Sequence, residues 1–182
     1  RLKPAKYMMP KVAISDSGSA TPAIGEKLRA QTEKGPLDVI GDTHGEIHAL
    51  ETLLNILGYQ KDGSHPDNRR LVFLGDLCDR GADSPAVIAL VKSLCETGRA
   101  FCILGNHELN TITGKSKDGS AWFFEDRFER DSQKYLFFKT VEPTKKSEIL
   151  DFLRKLPLAL ERDDLRVVHA TWHTPSINSL VT

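Results

Sequence analysis

Three short apolar runs, each followed by a glycine and then by acidic, amide or histidine side chains, constrain the fold of this chain more than any other feature. A run of four or five such residues bounded by glycine is typical of a buried β-strand. The runs and the residues that follow them are 37–40 with Gly41-Asp42-Thr43-His44-Gly45, 71–74 with Gly75-Asp76-Leu77-Cys78-Asp79-Arg80-Gly81, and 100–104 with Gly105-Asn106-His107-Glu108. They predict a sheet that carries polar clusters at one edge.

The segments between these strands have the spacing of amphipathic helices. Apolar residues recur at intervals of three and four between residues 47 and 57, and Gly58 follows them as a helix stop. A second helix is predicted to begin at Ser84 and Pro85 and to end at Gly98, because serine caps helices and proline suits their first turn. Strands that alternate with helices predict βαβ units and a largely parallel sheet, so we expect an α/β fold.

The remaining segments have weaker patterns. Residues 1–36 are rich in proline, serine, alanine and lysine, and we expect a flexible arm with a short helix near 24–33. The length of 182 residues suits one domain, which we place at 37–182. Within it, the charged and aromatic stretch 114–146 predicts a partly helical insertion over one edge of the site. Downstream we expect a helix at 147–156 and a hairpin with strands 158–160 and 165–168 and a turn at Asp163-Asp164.

Composition argues against several classes of partner. Lysine plus arginine and aspartate plus glutamate number 25 each, so no global field attracts nucleic acid or an anionic membrane. No apolar run approaches the roughly 20 residues that span a bilayer. The three cysteines form no CxxC pair, which does not suit a disulfide framework. We therefore expect a cytoplasmic protein without a membrane or nucleic-acid partner.

The polar clusters predict a metal site. In an open α/β sheet, ligands bind outside the carboxyl ends of the strands, so residues distant in sequence converge there. Carboxylate and amide oxygens together with imidazole nitrogen suit Mn, Fe or Zn better than Ca or Mg. Two such ions can clamp the attacking and leaving oxygens of an in-line displacement and activate water at neutral pH. The residues therefore favour hydrolysis of a phosphate ester, with two divalent ions, Mn or Fe first, as cofactors.

The order GDTHG, GDLCDRG and GNHE, followed by a histidine after the strand at 165–168, resembles the calcineurin-like metallophosphoesterases. More narrowly, the motifs are similar to those of the phosphoprotein-phosphatase branch, and the resemblance covers residues 37 to about 170. It implies a sandwich of β-sheets flanked by helices. It also implies hydrolysis by in-line attack of a hydroxide that bridges the two metals.

The resemblance further implies a role for each motif residue. Asp42 and His44 would hold the first metal, Asp76 would bridge both, and Glu108 would support the loop. The second metal would be held by Asn106 and His169. Phosphate would bind Arg80, with Asn106 and His107 beside it. His107 would act as general acid, with Asp79 orienting its imidazole.

The chain departs from the family pattern at three places. The family has another metal-binding histidine well downstream of the position of His169, and the sequence ends at Thr182, so we expect a fold that is incomplete at its C-terminus. The fourth motif has Ala170 where the family's phosphatases have glycine. Ala82 stands where the family often has proline.

Three functions stay open at this point. The first is hydrolysis of phosphoserine or phosphothreonine in proteins, which Asp79-Arg80 favours because diadenosine tetraphosphatases tend to lack that aspartate. The second is hydrolysis of a dinucleoside polyphosphate, and the third is a non-catalytic module that binds metal or phosphate. Single residues also have plainer explanations: His169 could be a core histidine, Cys78 a small filler, and the aromatics of 122–138 either core or a surface for base stacking.

Overall fold

The computed structural model describes residues 29–31 and 34–179. Within them, six strands and six α-helices follow one another, and a short 3-10 turn leads into α4 and another into α5. The strands are β1 (Arg29–Gln31), β2 (Leu37–Ile40), β3 (Arg70–Phe73), β4 (Ala100–Cys102), β5 (Ala159–Arg162) and β6 (Leu165–Val168). The helices are α1 (Ile47–Ile56), α2 (Ser84–Glu96), α3 (Asn106–Ile112), α4 (Phe128–Lys134), α5 (Lys146–Arg154) and α6 (Thr174–Ser179).

The strands form two three-stranded sheets. The first has the order β2-β3-β4 and is entirely parallel, as the alternation of strands and helices predicts. The second has the order β1-β5-β6, in which β1 runs parallel to β5 and β5 runs antiparallel to β6. The predicted hairpin is therefore present, with its strands at 159–162 and 165–168.

Alternate residues of β3 show how the layers are stacked. Leu71 and Phe73 are fully buried in a cluster with the residues of α1, α2 and α5. Val72, between them, is fully buried against Leu160 and Val167 of the other sheet. Because successive side chains of a strand point to opposite faces, the first sheet separates a helical layer from the second sheet. The predicted sandwich flanked by helices is confirmed.

The helix α2 begins at Ser84, one residue earlier than its sequence predicts. The Asp83 carboxylate accepts the backbone N–H of Ala86 at 2.9 Å, and Pro85 lies in the first turn. Asp83 rather than Ser84 is therefore the N-cap. The Ser84 hydroxyl instead accepts the backbone N–H of Asp79 at 3.0 Å, so the start of α2 is tied to the loop after β3.

Two expectations need correction. Arg29–Gln31 form a strand paired with β5, so the short helix predicted near 24–33 is wrong for these three residues, and this part of the arm belongs to a sheet. The rest of the predicted arm, except 34–36, lies outside the described residues. The third strand is shorter than predicted, although the two residues after it, Ile103 and Leu104, are buried. Among the described residues, no helix is long and apolar enough to cross a membrane.

Candidate metal and phosphate site

Backbone hydrogen bonds tie the loop after β2 to the loop after β3. The N–H groups of Thr43 and His44 both donate to the carbonyl of Asp76, at 3.1 and 2.9 Å. The Gly45 N–H donates to the carbonyl of Leu77 at 2.8 Å. Because β2 and β3 are neighbouring parallel strands, their carboxyl ends lie at the same edge of the sheet. The first two motifs therefore form one hydrogen-bonded unit.

Asp76 lies at the centre of the site and is 4% exposed. Its Oδ2 atom is 3.3 Å from His169 Nε2 and 3.9 Å from His107 Nε2. Two groups of candidate metal ligands, with their ligand atoms within 4.8 Å of one another, share Asp76: one adds His44 and His107, and the other adds Asp42 and His169. The His44 Nε2 atom is also 3.9 Å from Asp42 Oδ2. The predicted ligands thus form a continuous cluster around the residue expected to bridge.

The rings of His44 and His169 are oriented alike, with Nδ1 against a backbone carbonyl and Nε2 towards the cluster. The Nδ1 atom of His44 lies 2.9 Å from the carbonyl of Cys78, and that of His169 lies 2.7 Å from the carbonyl of Leu74. A carbonyl only accepts, so both Nδ1 atoms donate their proton to it and both Nε2 atoms face the cluster, where a bound cation would replace their present neighbours. The Nε2 atom of His169 is also 3.1 Å from Asn106 Oδ1. This donor set of oxygen and imidazole nitrogen fits a transition-metal centre.

His107 differs from these two histidines in the partner of its ring. Its Nδ1 atom lies 2.5 Å from Asp79 Oδ2, and both residues are buried. The hydrogen bond that His107 donates to Asp79 raises the pKa of His107 above its ordinary value, against the lowering effect of burial. A carboxylate partner stabilises an imidazole that carries both protons, whereas a carbonyl partner suits a neutral ligand. His107 is therefore better placed to donate a proton than to hold a metal.

Arg80 is exposed, and its guanidinium lies between His44 and His107. Its Nη1 atom lies 3.1 Å from His44 Nε2, and its Nη2 atom lies 3.2 Å from His107 Nε2. The guanidinium fork thus reaches both the predicted metal ligand and the predicted acid. A planar fork with parallel N–H groups suits two oxygens of one phosphate.

Backbone strain is concentrated in the same loops. Five non-glycine residues among those described have positive φ, and four of them are predicted site residues: His44, Asp76, Asp79 and Arg80, at 40°, 51°, 71° and 69°. Each such conformation costs about 1–3 kcal/mol and persists only where the surroundings impose it. Strain of this kind is typical of a functional site.

Glu108 imposes the conformation after β3 and is completely buried. Its carboxylate accepts the backbone N–H groups of Asp76 and Leu77 at 2.8 Å and that of Gly105 at 2.9 Å. Burial raises the pKa of Glu108, and the N–H groups of Asp76 and Leu77 counteract that rise. Glu108 therefore supports the loop that follows β3, as the resemblance implies.

Trp122 contributes to the site in a way that sequence reasoning missed. Its indole N–H donates to Asp79 Oδ1 at 2.5 Å, and the side chain is 1% exposed. The aromatic stretch 122–138 divides into buried Trp122 and Phe123 and exposed Phe128 and Phe137. No periodic pattern distinguishes Trp122 from its aromatic neighbours, so its bond to Asp79 is visible only in the folded structure.

Other candidates have structural explanations. Cys78 is fully buried and burial raises the pKa of its thiol, so it is a filler rather than a nucleophile. His173 is exposed and bonds Ser176, and it belongs to neither ligand group. His169 faces Asp76 instead of the apolar core. The ring of His65 is mostly buried and bonds the carbonyl of Leu57.

Comparison with known proteins agrees with this geometry. Residues 35–180 match the family described as calcineurin-like phosphoesterase. The symmetrical bis(5'-nucleosyl)-tetraphosphatase of Janthinobacterium sp. is 33% identical over 129 residues, which is 69% of this chain and 41% of that protein. The asymmetrical bis(5'-nucleosyl)-tetraphosphatase PrpE of Oceanobacillus iheyensis is 51% identical over 74 residues, 39% of this chain and 30% of that protein.

A solved structure shows the same fold. The cold-active protein-tyrosine phosphatase of a Shewanella species superposes with a TM-score of 0.57 at 20% identity, covering 85% of this chain and 47% of that one. The chain spans less than half the length of these relatives. The ordered motifs, the convergent ligands and the match across 35–180 together show that the chain belongs to the calcineurin-like phosphoesterase family.

Proposed function

We propose that the chain hydrolyses phosphate esters with the help of two divalent metal ions. One observation carries the proposal. Asp76 is shared by two groups of side chains that could hold a metal ion, and the fork of Arg80 and the ring of His107 reach the same cluster. A phosphate held there would contact a cation-binding centre, a guanidinium and an acid at once.

Asp42, His44 and Asp76 would hold the first ion, and Asp76, Asn106 and His169 the second. Manganese or iron suits these ligands best, and zinc is also compatible. Bound ions would neutralise charge on the phosphate and lower the pKa of a bound water towards about 7. The second ion would have three ligands from this chain, which leaves an open position for water or phosphate.

The protein residues divide the remaining work. Arg80 would bind two phosphate oxygens and orient the ester, with the Asn106 amide beside it. Asp79 holds the His107 ring by Nδ1, so that Nε2 points towards the cluster and can give its proton to the leaving oxygen. The Asp79 carboxylate also stabilises the charge of the protonated ring before transfer.

The acid pair favours phosphoserine or phosphothreonine in proteins as substrate. A serine alkoxide is a poor leaving group and needs a proton in the transition state. The buried Asp79–His107 pair is suited to supply it. Phosphorylated proteins are therefore the first class of partner in this proposal.

The names of the relatives favour a second candidate. Both curated relatives are bis(5'-nucleosyl)-tetraphosphatases, which makes a dinucleoside tetraphosphate the rival substrate. A nucleotide phosphate leaves more easily than an alkoxide, so a general acid would matter less to that reaction. A third possibility is a module that binds metal or phosphate without turnover.

Substitution of His107 by asparagine separates these functions. With manganese present, His107→Asn should lower kcat on a phosphoserine peptide by about 10²–10⁴-fold, the usual contribution of a general acid. Its effect on p-nitrophenyl phosphate should be much smaller because that leaving group needs little protonation. His48→Asn, which changes a histidine on α1 that is 90% exposed, is the matched control and should leave both rates unchanged.

Each alternative has its own outcome. Equal losses on both substrates would remove the acid role from His107. Faster hydrolysis of diadenosine tetraphosphate than of the peptide by the unchanged chain would select the second candidate. Manganese binding without turnover of any of the three compounds would select the non-catalytic module.

The domain and its location are part of the same proposal. We place one catalytic domain at 37–182, to which β1 is added through its pairing with β5, with 114–146 as an insertion beside the site. Cys78, Cys95 and Cys102 are free thiols, which supports a reducing compartment such as the cytoplasm.

A further inference from the structure

Trp122 and His107 bind opposite oxygens of one buried carboxylate. The indole N–H of Trp122 donates to Asp79 Oδ1, and His107 Nδ1 lies against Oδ2, each at 2.5 Å. Asp79 and Trp122 are both 1% exposed, so water does not compete for these bonds. A buried carboxylate needs hydrogen-bond donors on both oxygens. Here Oδ2 has an imidazole that can carry a charge, and Oδ1 has the neutral indole N–H of Trp122.

The segment that ends at Trp122 also holds the backbone of Arg80. The N–H of Arg80 donates to the carbonyl of Gly119 at 2.9 Å. Gly119 has φ of +84°, and a Cβ atom there would lie 2.7 Å from the Arg80 nitrogen. Only glycine fits both the conformation and the approach. Residues 119–122 therefore contact both members of the strained pair Asp79-Arg80.

We propose that Trp122 is a positioning residue for the general acid, an inference that rests on the acid role proposed above for His107. The indole fixes the rotation of the Asp79 carboxylate, so that Oδ2 faces His107 and the ring presents Nε2 to the substrate. Without the indole N–H, Oδ1 is a buried acceptor with no partner, and the carboxylate turns towards other donors such as Arg80. The His107 ring then loses its fixed orientation.

Trp122 also packs in the core, edge to face against Phe123 with ring centroids 5.2 Å apart, so packing must be separated from positioning. Trp122→Phe keeps an aromatic ring and removes the N–H. It should lower kcat on a phosphoserine peptide by roughly 10-fold, a part of the ~10²–10⁴-fold that a general acid contributes. The KM, the manganese content and kcat on p-nitrophenyl phosphate should change little.

Phe123→Leu is the control for packing. It disturbs the same contact without touching the hydrogen bond, so it should lower thermal stability while the ratio of kcat on the two substrates stays at the value of the unchanged chain. If Trp122→Phe alters both substrates equally, or if Phe123→Leu alters the ratio as much, the positioning role is wrong.

A second measurement does not depend on turnover. In ¹⁵N-labelled protein with zinc added, the His107 Nδ1–H proton in its short bond to Asp79 should give a separate downfield resonance. The resonance should persist in Phe123→Leu and disappear in Trp122→Phe. Its persistence in Trp122→Phe would overturn the proposal. If the chain hydrolyses neither substrate, the proposed function fails, and this resonance still decides whether Trp122 orients the ring.

If Trp122→Phe does not fold, the hydrogen bond between Trp122 and Asp79 can be observed in a protein that keeps Trp122. The chain has two tryptophans, so Trp172→Phe leaves Trp122 as the only source of an indole N–H signal. That signal should lie downfield and exchange slowly with D₂O, because its proton is buried against a carboxylate. A signal at the position and exchange rate of a solvated indole would show that the bond to Asp79 is absent.

Discussion

Glu108 makes the loop after β3 dependent on one buried carboxylate, so its substitution should have a large effect on stability. Oε2 accepts the N–H groups of Asp76 and Gly105, and Oε1 accepts the N–H of Leu77 and the thiol of Cys78. The residue is 0% exposed, so water cannot take the place of the lost acceptors without rearrangement.

The cost follows from the number of donors left without a partner. A buried donor that loses its acceptor costs about 1–3 kcal/mol. Glu108→Gln replaces one oxygen by an NH₂ group and leaves at least one backbone N–H unpaired, which gives a loss of about 1–3 kcal/mol. Glu108→Ala removes the acceptor of three backbone donors and should cost roughly 3–9 kcal/mol, less if water enters the vacated space. Since domains are stable by about 5–15 kcal/mol, the alanine variant is expected to be partly unfolded.

Urea unfolding followed by circular dichroism measures this difference. The matched control is Glu148→Gln on α5, whose side chain is 49% exposed and pairs with Lys92 and Lys145. Surface pairs contribute about 0–1 kcal/mol, so the control should barely shift the midpoint. A Glu108→Gln protein with the midpoint of the unchanged chain would refute the view that this carboxylate organises the loop.

Two further predictions concern Arg80 and Asp38. Arg80→Ala should raise KM and lower kcat with metal content unchanged, because in our proposal the guanidinium binds phosphate in both the ground and the transition state. Loss of metal from the purified Arg80→Ala protein would instead make Arg80 structural. Asp38→Asn should destabilise the fold by about 1 kcal/mol, since Asp38 binds Tyr59 and the partly exposed Arg69. Arg69 holds the pKa of Asp38 below its ordinary 3.8, so this stabilisation is present above that value and lost as pH falls through the folded pKa. Urea midpoints of the two proteins should therefore converge in acid, and a constant difference would contradict the assignment.

Local patterns made the strands and the motif loops predictable. The run 71–74 is followed by Gly75, and both the strand and the polar loop lie where these residues indicate. The convergence of Asp42, Asp76 and His169 follows from a general rule about the carboxyl ends of parallel strands, so it needed no knowledge of contacts. The tautomers of His44 and His169 did not follow, because carbonyl partners such as that of Cys78 have no signature in sequence.

Long-range pairing was not predictable in the same way. The strand Arg29–Gln31 exists through its pairing with β5, more than 120 residues away, and its own residues have no strand pattern. The bond between Trp122 and Asp79 joins residues 43 positions apart and depends on how the 114–146 segment folds back over the loop. Both features depend on tertiary contacts, which local strand or helix propensity does not predict.

Anomalous diffraction from crystals soaked in manganese tests the central claim most directly. We expect two peaks about 3.5–4 Å apart, both within coordination distance of Asp76. One peak should also lie beside Asp42 and His44, and the other beside Asn106 and His169. Asp76→Asn should weaken both peaks, whereas His169→Ala should remove only the second. The absence of any peak at Asp76, or two peaks that do not share it, would contradict the account.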